Sequence, residues 1–230
     1  MIVLYEYTVY ATESQNASGL RPTMVARIGR TRPCYAAKLS PDITLCVKDA
    51  LMDHFESIIS TLLEADGLWI RRSFKVNVTK EEKRQIGKHS IPRPEIDLLA
   101  FHFAKNEVLA IEAKSFLDSP GVKLAQLQEE HEVPEGRYKL FTSLRYRSIV
   151  LARLLQDLIA CGMANSNTKI SLGLAAGKVY QGKSDPIREF MEQKKWLFWS
   201  PEDIKKKVTA LAARGYENDP AIITAKILMR

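Results

Sequence analysis

With 230 residues, 46% of them apolar, and a formal charge of +7, the chain can bury one well-packed core with additions, and its basic balance favours an anionic partner. No apolar run approaches a membrane span, and no charged-then-apolar leader precedes a cleavage site. The three cysteines, Cys34, Cys46 and Cys161, give neither a disulfide framework nor a CxxC zinc pattern, so the expectation is a cytoplasmic, reduced protein with no membrane partner.

Residues 1–42 read as an N-terminal β extension, with strand-like runs at 2–10 and 24–28 around a polar loop. The core is expected over 43–182. It opens with a helix at 46–65, where Leu51, Phe55, Ile58, Ile59, Leu62 and Leu63 recur at the helical period and Asp66-Gly67 stops it. Glu56 lies on the edge of that apolar face, while Asp53 and Glu64 point away and His54 takes the opposite edge. A strand over 69–78 follows, with Ile70, Phe74, Val76 and Val78 alternating against Arg71, Ser73, Lys75 and Asn77.

The stretch 80–89 is polar and mostly basic and reads as a loop. Lys80, Lys83, Arg84 and Lys88, with Arg93 beyond them, are candidate nucleic-acid phosphate contacts; the alternative is a solvated surface loop. Two apolar strands, 95–103 and 107–115, then fold as a hairpin around Lys105-Asn106. They carry Asp97, Glu112 and Lys114, charges in a setting that rarely holds them without a purpose. Glu112 and Lys114 are two apart and leave one face of the sheet. Pairing Ala104 with Glu107 would set Leu99 opposite Glu112 and Asp97 opposite Lys114. The three then form a water-activating, metal-binding site or, alternatively, a cross-strand salt bridge of little energetic weight.

A polar connection holding Pro120-Gly121 and Pro134-Glu135-Gly136 leads to a helix over 143–161, apolar at Leu144, Leu151, Leu154, Leu155, Leu158 and Ile159 and ended by Gly162. Arg145 and Gln156 share a flank of it, as boundary residues or within reach of a phosphate. A buried strand over 169–175 follows. Residues 183–230 read as a helical segment packed on the core, with Trp196, Phe198 and Trp199 as packing residues. Helices are expected from Pro201 to Arg214 and from Pro220 onward, capped by Ser200 and Asp219. The histidines lack zinc-ligand spacing, and no glycine-rich phosphate loop implies nucleotide hydrolysis.

The run Pro94-Glu95-Ile96-Asp97, followed after fourteen residues by Glu112-Ala113-Lys114, resembles the signature of the PD-(D/E)XK, or restriction-endonuclease-like, nuclease superfamily. The order helix, three strands, helix, strand matches its αβββαβ core, so the resemblance implies an α/β fold with a mixed sheet flanked by helices. By the same resemblance Asp97 would be the principal metal ligand and Glu112 the second, with the carbonyl of Ala113 helping. Lys114 would hold the attacking water, and Glu56 would be the carboxylate added from the first helix. The implied cofactor is Mg²⁺, with Mn²⁺ able to replace it on the same ligands. The implied activity is that of a metal-dependent DNA endonuclease in restriction, repair or defence, working as a homodimer if both strands of a duplex are cut. The alternative is a nucleic-acid-binding module that keeps the fold without turnover.

Overall fold

The computed structural model describes residues 54–215 and 217–229. The expected extension over 1–42, and the expected helix before His54, lie outside them.

Helix α1 (His54–Ala65) ends at Gly67, whose φ of 85° suits glycine, and β1 (Trp69–Lys75) follows. Residues expected as a basic loop instead form α2 (Lys80–Ile86). The physical reason is a capping box: the Thr79 side chain accepts from the Glu82 N–H, and the Glu82 carboxylate accepts from the Thr79 N–H. Left-handed Gly87 closes the helix, and Ile86 anchors it in the core.

Strands β2 (Glu95–His102) and β3 (Glu107–Lys114) make the hairpin. Its register differs from the expected one by two residues: Leu98 faces Ile111 and His102 faces Glu107, so continuing the ladder sets Asp97 opposite Glu112, not Lys114. A 3₁₀ turn at Phe103–Lys105, closed by left-handed Asn106, takes up the chain that was expected to pair. A slip of two conserves the face of every side chain, which is why the charges still converge.

Short helices α3 (Leu124–Leu127) and α4 (Lys139–Thr142) precede α5 (Leu144–Ala160), N-capped by Ser143. This crossover returns the chain to β4 (Lys169–Ala176), parallel to β3. Two elements not expected from the sequence follow, α6 (Ser184–Gln193) and β5 (Leu197–Trp199), and then α7 (Pro201–Ala212) and α8 (Pro220–Leu228). The segment after 183 is therefore not only helical, since β5 is the fifth strand of the sheet.

The sheet is mixed, ordered β1-β2-β3-β4-β5, antiparallel through β3 and parallel beyond it. Helices cover both faces. On one side Ile59, Leu62 and Leu63 of α1 pack with Ile204 and Leu211 of α7 against Leu98, Ala100 and Ile111. On the other, Val150, Leu154 and Leu158 of α5 pack with Ile187 and Met191 of α6 against Leu99, Ala110 and Leu172. Alternation along β3 thus sends Ile111 to the α1 side and Ala110 to the α5 side, and Glu112 and Lys114 follow Ala110. Among the described residues no helix is long and apolar enough to cross a membrane.

A candidate catalytic site where two strands part

The β1–β2 ladder is interrupted beside Asp97. Arg72 pairs with Leu98 and Phe74 with Ile96, but Ser73 between them has a φ of 50°, far from strand geometry. On its other side Asp97 lies just beyond the last β2–β3 pair, and its side chain takes over the hydrogen bonding there: Oδ2 accepts from the Ala113 N–H at 2.8 Å. The carboxylate is thereby fixed by backbone. The expectation for Ala113 concerned its carbonyl; the structure gives its N–H the task of orienting Asp97.

The Lys114 ammonium joins both acids, 2.8 Å from Glu112 Oε2 and 3.3 Å from Asp97 Oδ2. Side-chain exposures of 18% for Asp97, 14% for Glu112 and 21% for Lys114 make this a sheltered cluster and not the surface salt bridge of the alternative reading. Two carboxylates share one ammonium, so the three groups together are short of positive charge. Burial pushes the Glu112 carboxyl above its ordinary range; Lys114 opposes the shift and Asp97 reinforces it. Burial works against the Lys114 charge, but Glu112 and Asp97 together overcome it and hold the ammonium's pKa above the usual lysine value. Lys114 is therefore a fixed cation and a poor general base.

The cluster lies at the carboxyl ends of β3 and β4, the end at which open α/β sheets bind ligands. Glu112 lines a cleft of about 200 Å³ together with Arg93, Arg137, Lys139 and Tyr146. Burial, with Glu112 adding to it, pushes the Tyr146 hydroxyl up to about 12, so it stays a hydrogen-bond donor. Among the described residues Arg93, Arg137 and Lys139 form no direct ion pair with a carboxylate. Between the two cations of the 137–139 stretch stands Tyr138, 5% exposed, whose Oη is buried without a hydrogen-bond partner among the described residues. Burial pushes that hydroxyl up to about 12, against the pull of the Lys114 and Arg137 charges.

Of the expected basic residues, only Arg93 lines this cleft. Lys80, Lys83, Arg84 and Lys88 lie on α2 or just past it. Lys88 is already engaged, donating to the Pro134 carbonyl at 2.6 Å, and that bond ties the end of α2 to the strand of chain leading into the cleft. Glu82 faces inward to Arg153 of α5, through contacts of 2.7–3.1 Å. Glu56 is half-buried in the first turn of α1. Its neighbour Phe55 reaches the end of the sheet, since a Cβ on Gly177 would meet both the Phe55 ring at 3.1 Å and the Ser115 carbonyl at 2.6 Å, but α1 packs on the face opposite the trio and Glu56 does not gather with Asp97 and Glu112. Arg145 opens instead on a separate surface cleft beside Glu129 and Glu132, and Gln156 is exposed.

Sequence reading missed Arg137, Tyr138, Lys139 and Tyr146. The available signal was a tyrosine flanked by two cations directly after the Pro-Glu-Gly turn, within a stretch read only as a polar connection. Two carboxylates suffice for a hard cation that keeps several waters, although no group of three or more His, Cys, Asp and Glu side chains gathers among the described residues. The charge deficit and the all-oxygen donor pair fit a divalent ion of that kind.

Compared with known protein families, with curated proteins and with solved structures, the chain gives no match.

Proposed function

We propose that this chain is a metal-dependent nuclease with a restriction-endonuclease-like core, hydrolysing phosphodiester bonds in nucleic acid, with DNA the expected substrate. The observation that carries the reading is the charge-deficient trio Asp97, Glu112 and Lys114, gathered where β2 and β3 part. Of the three, Glu112 lines a cleft whose cations Arg93, Arg137 and Lys139 form no direct ion pair with a carboxylate among the described residues. The mixed sheet, with helices on both faces and β4 parallel to β3, supports the same reading.

A phosphodiester resists attack because its oxygens repel nucleophiles and its alkoxide leaves poorly. Bound at Asp97 and Glu112, Mg²⁺ would supply charge neutralisation and acidification of water. Asp97, locked by the Ala113 N–H, would hold its ligand oxygens without reorganising. Lys114, whose charge Glu112 and Asp97 favour, would orient the attacking water and offset charge that grows on the phosphate. Arg93, Arg137 and Lys139 would hold the phosphate in the cleft, and the basic side chains of α2 would contact phosphates farther along.

The test is incubation of the purified protein with circular DNA, linear DNA and RNA, in Mg²⁺ or in EDTA. Cleavage in Mg²⁺ is expected, lost in EDTA and in Asp97→Ala or Glu112→Ala, with nucleic-acid binding still measurable in both variants. A protein that binds but cuts nothing in Mg²⁺ or Mn²⁺ would be a binding module and not an enzyme.

A further inference from the structure

The cleft at Glu112 does not end at Arg137. That side chain also lines a second cleft of about 330 Å³, with Phe116, Pro120, Lys123 and Gln126. The loop that forms the second cleft is fixed by backbone hydrogen bonds. After β3 the chain turns at left-handed Phe116 and then runs along the loop that follows β4: Val122 donates to the Lys178 carbonyl and Tyr180 donates to the Val122 carbonyl, both at 2.9 Å. Gly121 permits this approach, since its φ is 95° and a Cβ there would lie 2.8 Å from the Lys178 oxygen. The stitch places Lys123 above the Tyr180 ring, 4.8 Å from its centroid, with Tyr180 itself 40% exposed. Arg137 in turn stands 5.5 Å from the Phe116 ring.

Arg93, Lys139 and Arg137 thus share one cleft and Arg137 and Lys123 the next, with Phe116 beside Arg137 and Tyr180 beside Lys123. Among the described residues none of these four cations is neutralised by a direct carboxylate partner. Cations at intervals match phosphates along a backbone, and an exposed ring offers a platform on which an unpaired base can stack. In a duplex the bases are stacked on one another and unavailable to Tyr180, and the second phosphate row lies across a groove about 6–12 Å wide. The two clefts, joined at Arg137, offer their cations to one row of phosphates.

We propose that the two clefts meeting at Arg137 form a path for a single strand of nucleic acid, with phosphates on Arg93, Lys139, Arg137 and Lys123 and a base on the face of Tyr180 that Lys123 does not cover. This rests on the reading of Asp97, Glu112 and Lys114 as the cleavage centre, and it specifies the substrate as an unpaired strand or the frayed end of a duplex. DNA and RNA strands present the same phosphates and ring faces, so both belong in the test.

The experiment measures binding in EDTA, where no cleavage intervenes, by fluorescence anisotropy of a labelled single strand and of the matching duplex over a range of salt. The single strand is expected to bind at least about 10-fold more tightly, the scale of one stacked base. In Arg137→Ala/Lys139→Ala/Lys123→Ala the log–log salt slope should flatten by about 0.7 for each phosphate no longer neutralised. Tyr180→Leu should weaken single-strand binding and leave the slope unchanged, because stacking releases no counterions. Lys205→Ala/Lys206→Ala, on α7 in the opposite layer, should alter neither, and thermal unfolding should confirm that each variant is folded. Equal or tighter duplex binding, no detectable binding, an unchanged slope in the triple variant, or an equal loss in the α7 variant would overturn the path. Cleavage in Mg²⁺ is read separately: a strand-selective binder that never cuts refutes the cleavage centre alone, and a duplex-preferring protein that cuts refutes the path alone.

Discussion

Removing Lys114 would leave Asp97 and Glu112 facing each other across β2 and β3 with little water to screen them. Breaking a sheltered ion pair from one side costs more than the pair contributes, because the stranded charge stays buried. Lys114→Met is therefore expected to destabilise the protein by about 3 kcal/mol near neutral pH in a urea titration. Glu112 has its carboxyl raised in the folded state, so the fold takes up that proton more readily than the unfolded chain does. The deficit should shrink as pH falls through the folded value, and a deficit that grew with acid would contradict the burial of Glu112. Tyr138 poses the opposite case. Its hydroxyl is buried without a partner among the described residues, so Tyr138→Phe removes an unsatisfied group and should be neutral or stabilising by up to about 1 kcal/mol. A loss of more than about 1 kcal/mol in chemical denaturation would show that the hydroxyl is hydrogen-bonded in the folded protein.

At the scale of single elements, α2 shows how one acid redirects a basic stretch. Counting charges over 80–89 suggests a solvated loop, yet Glu82 closes the capping box and binds Arg153, and that pins the helix to α5. Burial alone would raise the Glu82 carboxyl, but Arg153 and the Thr79 N–H overcome it and hold it below its ordinary 4.5. Its contribution is thus complete above the ordinary carboxylate range and is lost as pH falls through the lowered folded value. Wild type should lose more stability than Glu82→Gln between about pH 6 and about pH 3, by urea midpoint at each pH. The cations of α2 give a separate prediction. If they hold phosphates, replacing Lys80, Lys83, Arg84 and Lys88 with Ala should weaken binding and flatten its salt slope by about 0.7 for each phosphate released from a single strand, with Lys88 contributing least because Pro134 already occupies it. An unchanged slope would make α2 a structural clamp only.

For the whole molecule, the sheet is the scaffold on which three remote segments meet: 94–97, 112–114 and 136–139. An ion bound only by the folded arrangement must stabilise it by mass action, about 1.4 kcal/mol at ten times its Kd. Mg²⁺ should accordingly raise the Tm of wild type by about 3–5 °C and leave Asp97→Asn/Glu112→Gln unmoved. Equal shifts in both proteins would place metal binding elsewhere.

Local sequence was sufficient for the elements that depend on periodicity and punctuation. The hairpin, the α5 helix behind Ser143, β4 and the capped α7 and α8 all lie within a few residues of where their patterns put them, because side-chain period and caps act over one or two turns. The shared face of Asp97, Glu112 and Lys114 was legible for the same reason: a strand period of two fixes the face even when the register is misjudged. The register itself depended on the 3₁₀ turn at Phe103–Lys105. The Thr79–Glu82 capping box and Gly87 of α2 were local and readable but were hidden by counting charges, and only the docking of α2 through Arg153, 71 residues away, lay beyond local sequence. β5 is three residues long and becomes a strand only by lying beside β4. Only the tertiary structure could bring Arg137 and Lys139 to Glu112, since no local spacing relates a turn after residue 134 to the end of a strand at 114. Sequence sets the conformations that neighbours along the chain can enforce; the surroundings of the trio were decided by contacts whose partners are set by packing.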